Sequence, residues 1–341
     1  FFFSLITFVK ISLKSLLTSN VKEIFYDEKS DINFYPFLRN DWIASTRGSH
    51  LFYAIITTKI FDYLLSRLPK QKLGLYLFEN QSWEKALVGS WKKFNHGKLI
   101  SVDHTGGPMR FWDLRFYKSS DFFNNLQNKQ YLNDLHCING SISKSLLIQS
   151  GFPKDMIIDV EALRFNYLIN NINNLNMLKK KYNKVLLVGD IDYESSENLL
   201  LDIKSISYKI KNNFEISFRP HPGTPNKKNL NELAKIQKIN VSSSDLVEDI
   251  KNHDKIIIVG SSTVSIEAYL MGKQTIVYLN RKKLNLSPMN ASDKVDFVSN
   301  SEDLYNSIIK EPEFTDNKED FFWLDHNLSK WKIFFNTYLK D

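Results

Sequence analysis

The sequence predicts an α/β protein made of two doubly wound, parallel-sheet domains. Three observations carry this expectation. The chain has 341 residues, too many for one ordinary core and suited to two domains of about 150 residues each. Apolar runs of strand length recur without the alternation of a half-exposed sheet, as happens when both faces are covered. Helical patterns lie between many of these runs, and strand alternating with helix is the signature of a parallel sheet.

The elements follow in order. In the opening "FFFSLITFVKISLKSLL" the apolar stretch before Lys10 is nine residues, too short to span a bilayer. Lys10 and Lys14 fall four apart, as on one face of an amphipathic helix. The pattern allows peripheral contact with a membrane surface, and packing on its own domain is the plainer expectation. The chain starts without Met, so it reads as a fragment, one module of a larger protein. Strand-like runs then come at 73–80, 97–105, 135–140 and 155–163, with the helical "SWEKALVGSWKKF" after Asn80. These make a first domain over 1–165. A connecting helix or linker is expected at 166–183. The second domain, 184–316, has the clearer runs, at 184–191, 214–221, 238–243, 255–262, 274–279 and 295–300. The last segment, 317–341, reads as an amphipathic helix packing back across the domains, with Phe322, Trp323, Trp331 and Phe335 on one stripe.

Composition narrows the function. The single cysteine, Cys137, excludes an internal disulfide and a cysteine zinc site, and fits a reducing compartment such as the cytoplasm. The seven histidines show no metal-binding spacing, so a metal-independent protein without cofactor is expected. The net charge of +7 suits an anionic partner. No nucleic-acid motif accompanies it, which leaves a membrane leaflet or a nucleotide-activated substrate.

Two motifs carry the chemistry. "RPHPGTP" places Arg219, His221 and Pro222 at the end of one apolar run, and "VGSSTVSIEA" places Gly260, Ser261, Ser262 and Thr263 at the end of another. Ligands of open α/β sheets bind at the carboxyl ends of strands. Hydroxyls and N–H groups at a strand-to-helix turn suit a phosphate, an imidazole can donate to it, and Glu267 is placed to take ribose hydroxyls. The bland alternatives are a helix cap and a plain loop.

The pair of motifs resembles the His-Pro and Ser-Ser/Thr motifs of CMP-sugar-dependent glycosyltransferases of GT-B architecture, including bacterial sialyl-, polysialyl- and Kdo-transferases. The segments "ENQSWEKALVGSWKKFNHGKLISVDHTGGPMRFWDLRFY", "INGSISKSLLIQSGFP", "VEALRF" and "LNLSPMNASDKVDFVS" look like a bacterial surface-carbohydrate group related to retaining β-Kdo transferases. The resemblance implies two Rossmann-like domains around a cleft. It also implies transfer of an ulosonic acid, Kdo first, from a CMP-activated donor to a glycan acceptor of lipopolysaccharide or capsule. CDP-glycerol glycerophosphotransferase, UDP-sugar transferase and an inactive scaffold are the alternatives.

Within that reading, Asp190 at the end of "KVLLVGD" is the expected nucleophile and Glu79 at the end of "LGLYLFE" the acid/base. Asp192 is either a further catalytic carboxylate or a helix cap. Asn80, Asp103, His104, Arg110, Arg115, Asn285 and Ser287 are candidate donor or acceptor contacts, the arginines because guanidinium pairs with a carboxylate in bidentate fashion. Glu161 and Arg164 are expected to pair across the domain boundary.

Overall fold

The computed structural model describes residues 2–18, 20–28, 30–79, 81–104, 131–172, 183–290, 293–311 and 321–339. Helices Phe2–Leu16, Tyr35–Arg47 and Ser49–Leu65 come first, with a small antiparallel hairpin, β1 (Tyr26–Asp27) and β2 (Ile32–Asn33), between the first two. Two-residue strands have no period to read, and the sequence reading lacks them. Strands β3 (Leu73–Phe78), β4 (Lys98–Asp103), β5 (Leu135–Ile138) and β6 (Ile157–Asp159) form a parallel sheet in the order β3-β4-β5-β6. The second sheet uses β7 (Lys184–Val188), β8 (Glu215–Arg219), β9 (Asn240–Val241), β10 (Lys255–Val259), β11 (Gln274–Tyr278) and β12 (Asp296–Val298). Every strand expected from 73 onward is present, and each is shorter than expected because the ladder stops where the turn residues begin.

By packing, the described residues fall into two compact units. One comprises residues up to 102 together with 131–136; the other comprises 103–104 and everything from 137 onward. Of the expected linker, residues 166–172 are helical, in the segments Leu163–Leu168 and Ile169–Ile172, and 173–182 lie outside the described residues.

The six-stranded sheet is parallel throughout, in the order β9-β8-β7-β10-β11-β12. Counted within this sheet, that is 3-2-1-4-5-6, the arrangement of dinucleotide-binding folds. Alternate residues of a strand point to opposite faces, and both faces are covered. Leu186, Ile256, Ile258 and Val277 pack with helix Val264–Leu270 and with Phe321 and Phe322. Val185, Leu187, Ile257 and Ile276 pack on the other side with Leu199, Leu200 and Ile203 of helix Tyr193–Ile210 and with Leu304 and Ile308. The helices start on schedule: Asp192, Asp245 and Asn300 each follow a strand and accept a first-turn N–H, at 3.0, 2.9 and 2.9 Å.

The terminal segment corrects one expectation. It is not a single amphipathic helix carrying all four aromatics, because the helix runs only over Ser329–Tyr338. Phe322 precedes it and stacks on Phe165, ring centroids 4.1 Å apart. Trp331 and Phe334 are the buried residues of the helix, and Phe335 is exposed.

In the first unit, His136 on β5 is buried beside the Phe78 ring (5.0 Å) and the Ser101 hydroxyl, 2.7 Å from Nδ1. Burial pushes its imidazole down from 6.5 to about 4. A folded-state value below the unfolded one means that the unfolded chain takes up the proton first. The stabilisation is whole above 6.5 and shrinks as pH falls towards 4. Going from pH 7.5 to 5 should cost about 2 kcal/mol through this residue alone. Urea unfolding of wild type and His136→Gln at the two pH values checks it: the variant should lose distinctly less stability, and parallel losses would contradict the assignment.

Candidate functional site

The strand order decides where a site can form. In 3-2-1-4-5-6 sheets the connections diverge between strands 1 and 4, and the crevice at their carboxyl ends is where ligands bind. Here those strands are β7 and β10. The turn after β7 carries Gly189 and Asp190, and the turn after β10 carries Gly260, Ser261, Ser262 and Thr263. The His221 turn follows β8, immediately on the other side of β7. The two sequence motifs therefore flank β7, with backbones about 10 Å apart at ladder spacing.

Hydrogen bonds knit the three turns together. Asp190 is buried; its Oδ1 accepts the Asp192 N–H (3.1 Å) and its Oδ2 the Ser261 N–H (3.3 Å). The Asp190 carbonyl accepts the hydroxyls of Thr224 (2.7 Å) and Ser196 (3.2 Å). Thr224 belongs to the His-Pro turn, so Asp190 ties that turn to the Ser261 turn through β7. Gly260 has φ +66°, and a Cβ there would lie 2.6 Å from Asp190 Oδ2. Its left-handed backbone and the closeness of the carboxylate both require glycine.

His221 Nδ1 accepts the Gly223 N–H at 3.1 Å. In the neutral ring this leaves the proton on Nε2, as a donor for a ligand. Ser261 and Ser262 are half-buried at the crevice, and Ser262 Oγ accepts the Val264 N–H (3.3 Å). Helix Val264–Leu270 has only seven residues, so its dipole is small and the local hydroxyls and N–H groups are the relevant donors. Glu267 is buried, and burial raises its carboxyl above the usual range; hydrogen bonds from Tyr167 and Thr263 and the charge of Arg164 oppose that rise. The Tyr167 hydroxyl donates to Glu267 Oε2.

Other candidates have structural work. Arg219 donates to Asp249 Oδ2 (2.8 Å) and to the Ser244 carbonyl. Asp192 caps helix Tyr193–Ile210 and pairs with Lys283 at 2.6 Å. Burial would raise the Asp192 carboxyl, but Lys283 and Ser195 outweigh it and hold it below the usual range. Asn285 and Ser287 bond within their own loop: Asn285 Oδ1 accepts the Ser287 N–H (3.0 Å) and Ser287 Oγ the Met289 N–H (3.2 Å). Glu79 is half-buried after β3; the buried carboxylate there is Glu84, whose Oε1 accepts the N–H groups of Glu79 (2.8 Å) and Gln81 (2.9 Å). Asp103 is buried at the end of β4, and its carbonyl accepts Asn139 Nδ2 at 3.2 Å, with half-buried His104 next. Asn80, Arg110 and Arg115 lie outside the described residues.

Glu161 does not pair with Arg164. Its Oε1 and Oε2 accept the Lys330 and Trp331 N–H groups, at 2.7 and 3.0 Å. Sequence reasoning missed Thr224, Ser196, Tyr167 and Lys283; of these only Thr224 lies in one of the two phosphate-suited motifs. No group of three or more potential metal ligands occurs among the described residues.

Two Rossmann-like units with this site define a GT-B-like architecture. The chain matches no protein-family model and no curated protein sequence. Its fold is that of UDP-GlcNAc 2-epimerases. It superposes on the Neisseria meningitidis enzyme bound to UDP-GlcNAc with a TM-score of 0.57 at 16% identity, covering 85% of this chain and 81% of that one. The Methanocaldococcus jannaschii enzyme in complex with UDP-GlcNAc and UDP gives 0.54 at 16% identity, covering 85% and 82%. The Rickettsia bellii enzyme gives 0.51 at 15%, covering 90% and 85%.

These structures correct the functional expectation. The similar folds belong to UDP-sugar epimerases, which are isomerases, and not to CMP-sugar-dependent Kdo- or sialyltransferases. The CMP-Kdo donor, the glycan acceptor and the transferase class fall together. The physical reason is that the expectation rested on residue types that suit a phosphate, at the strand ends either side of β7, and a phosphate is common to every activated sugar. They say nothing of the base or of the bond that breaks. The nucleophile role of Asp190 was an expectation of the transferase reading; in the structure both its oxygens accept backbone N–H groups that join the turns.

Proposed function

We propose that the chain is a UDP-sugar epimerase holding its nucleotide at the carboxyl edge of the six-stranded sheet. The observation that carries the reading is the placing of the His221 and Gly260–Thr263 turns on either side of β7, in a fold shared with 2-epimerases. In this reading His221 Nε2–H, Ser261 and Ser262 donate to the diphosphate, and Glu267, steadied by Tyr167, accepts from the ribose hydroxyls.

Epimerising C2 of a UDP-linked sugar means breaking a C–H bond that no carbonyl activates. Departure of the diphosphate from C1 turns this into an elimination. A general base takes the C2 proton, the C–H pair becomes the C1–C2 double bond, and the C1–O pair leaves with UDP; UDP then re-adds to C1 on its original face while a proton returns to C2 from the opposite face, which gives the C2 epimer. Donors on the diphosphate favour that departure, which is the task assigned to His221. The reading calls on no metal, and a cytoplasmic setting suits both the substrate and the lone buried thiol of Cys137.

Thermal-shift titration with UDP and CMP tests the site. A ligand at 100 times its dissociation constant stabilises by ~2.7 kcal/mol. UDP should shift the wild type well above CMP, and His221→Ala should lose most of the shift. UDP-GlcNAc incubated in deuterium oxide then tests the chemistry, by entry of deuterium at C2 and appearance of the epimer. A UDP shift without deuterium entry would leave a binding protein and end the epimerase reading.

A further inference from the structure

We infer that helix Phe2–Leu16 seats the N-terminal unit on an anionic lipid surface, lying in the plane of the interface. The observation is an inversion of polarity. A helix packed on its own protein turns apolar residues in and polar residues out. Here serines face in: Ser4 and Ser15 are buried, and Ser12 Oγ donates to the Thr46 carbonyl at 3.4 Å. Phe8 packs inward with them, its ring 5.9 Å from that of Phe52. The outer face carries Leu5, Val9, Leu13 and Leu16, with Phe3 and Leu17 beside them, all exposed, Leu17 by 83%. Small residues inside and apolar residues outside is the arrangement of helices whose surroundings are lipid, where close backbone approach replaces the hydrophobic drive.

Length and charge specify the occupant. The helix has 15 residues and is therefore about 22 Å long, short of the ~30 Å hydrocarbon core. No helix among the described residues is long and apolar enough to cross a membrane. Exposed Lys10 and Lys14 border the apolar strip, one turn before Leu13 and Leu17, and the helix itself contains no carboxylate. A second copy docked strip to strip would set the lysines of two helices together, and neither helix holds a carboxylate to receive them. Anionic headgroups pair with all of them, while the lysine stems lie along the acyl boundary.

Flotation of the whole chain with phosphatidylcholine vesicles, with and without phosphatidylglycerol, tests this. The chain should partition onto the anionic vesicles roughly tenfold better than onto neutral ones, and less so in 1 M salt, where the screening length is ~3 Å. Lys10→Glu/Lys14→Glu should abolish the preference. Leu13→Glu/Leu17→Glu should abolish binding altogether, and its melting temperature should match wild type because both side chains are exposed. Absence of wild-type binding to either vesicle overturns the proposal. So does a dimer, seen by light scattering, that the leucine variant dissociates, since the strip then belongs to a second copy.

Discussion

Gly260→Ala should destabilise the second unit by about 3 kcal/mol and remove UDP binding. Two costs combine. A non-glycine residue at φ +66° carries a penalty of about 1–2 kcal/mol. The new Cβ would stand 2.6 Å from Asp190 Oδ2, so the carboxylate must move and give up the Ser261 N–H. The Ser261 turn then loses its tie to β7, and the His221 turn loses its fixed distance from it. A double-mutant cycle with Asp190→Ala isolates the clash. Without the carboxylate the alanine has room, so the double variant should be more stable than the sum of the singles by at least about 1 kcal/mol. Additive losses in urea unfolding would show that the backbone angle alone is responsible.

The second large effect is expected at Glu161. At the start of helix Ser329–Tyr338 the N-cap residue Leu328, at φ +50°, has no side-chain acceptor, and Asp325 Oδ2 takes only the first N–H, that of Ser329 (3.1 Å). The orphan N–H groups of its second and third residues go to Glu161, 169 positions away and only 2% exposed. The Glu161 carbonyl also accepts Trp331 Nε1 at 2.9 Å. Glu161→Ala leaves those N–H groups unmet, one of them buried, at a cost of about 3–4 kcal/mol. Glu161→Gln keeps one good acceptor and should recover roughly half. Amide exchange over Ser329–Tyr338 is the direct readout, since the helix should open well before the sheet. Unchanged exchange in the alanine variant would contradict the capping role.

Much of the second unit was legible because its signals are local. "KIIIVGSSTVSIEAYL" states a buried strand, a turn and a helix within sixteen residues, and the structure places them so. "RPHP" marks its own strand end in the same way. Asp192 shows the limit of this legibility. Its capping role is local and was weighed from the sequence, but its partner Lys283 lies in another loop, and nothing in either segment announces the pairing. Glu79 and Glu84 show a second limit. A carboxylate at a strand end looks costly to bury, yet the buried one is Glu84, five residues on, which reaches back to the Glu79 and Gln81 N–H groups at the start of its own helix.

By itself, then, the sequence determined the strands from residue 73 onward, the turns that end them and the phosphate-suited residues on those turns. Apolar runs and turn chemistry act between near neighbours in the chain. Tertiary structure alone decided that β7 lies between β8 and β10, which sets Asp190 against Ser261 across 71 positions, Tyr167 against Glu267 across 100, and Glu161 beneath the last helix across 169. Those pairings arise when whole faces pack, and packing selects partners by shape and burial over separations that leave no period in the sequence.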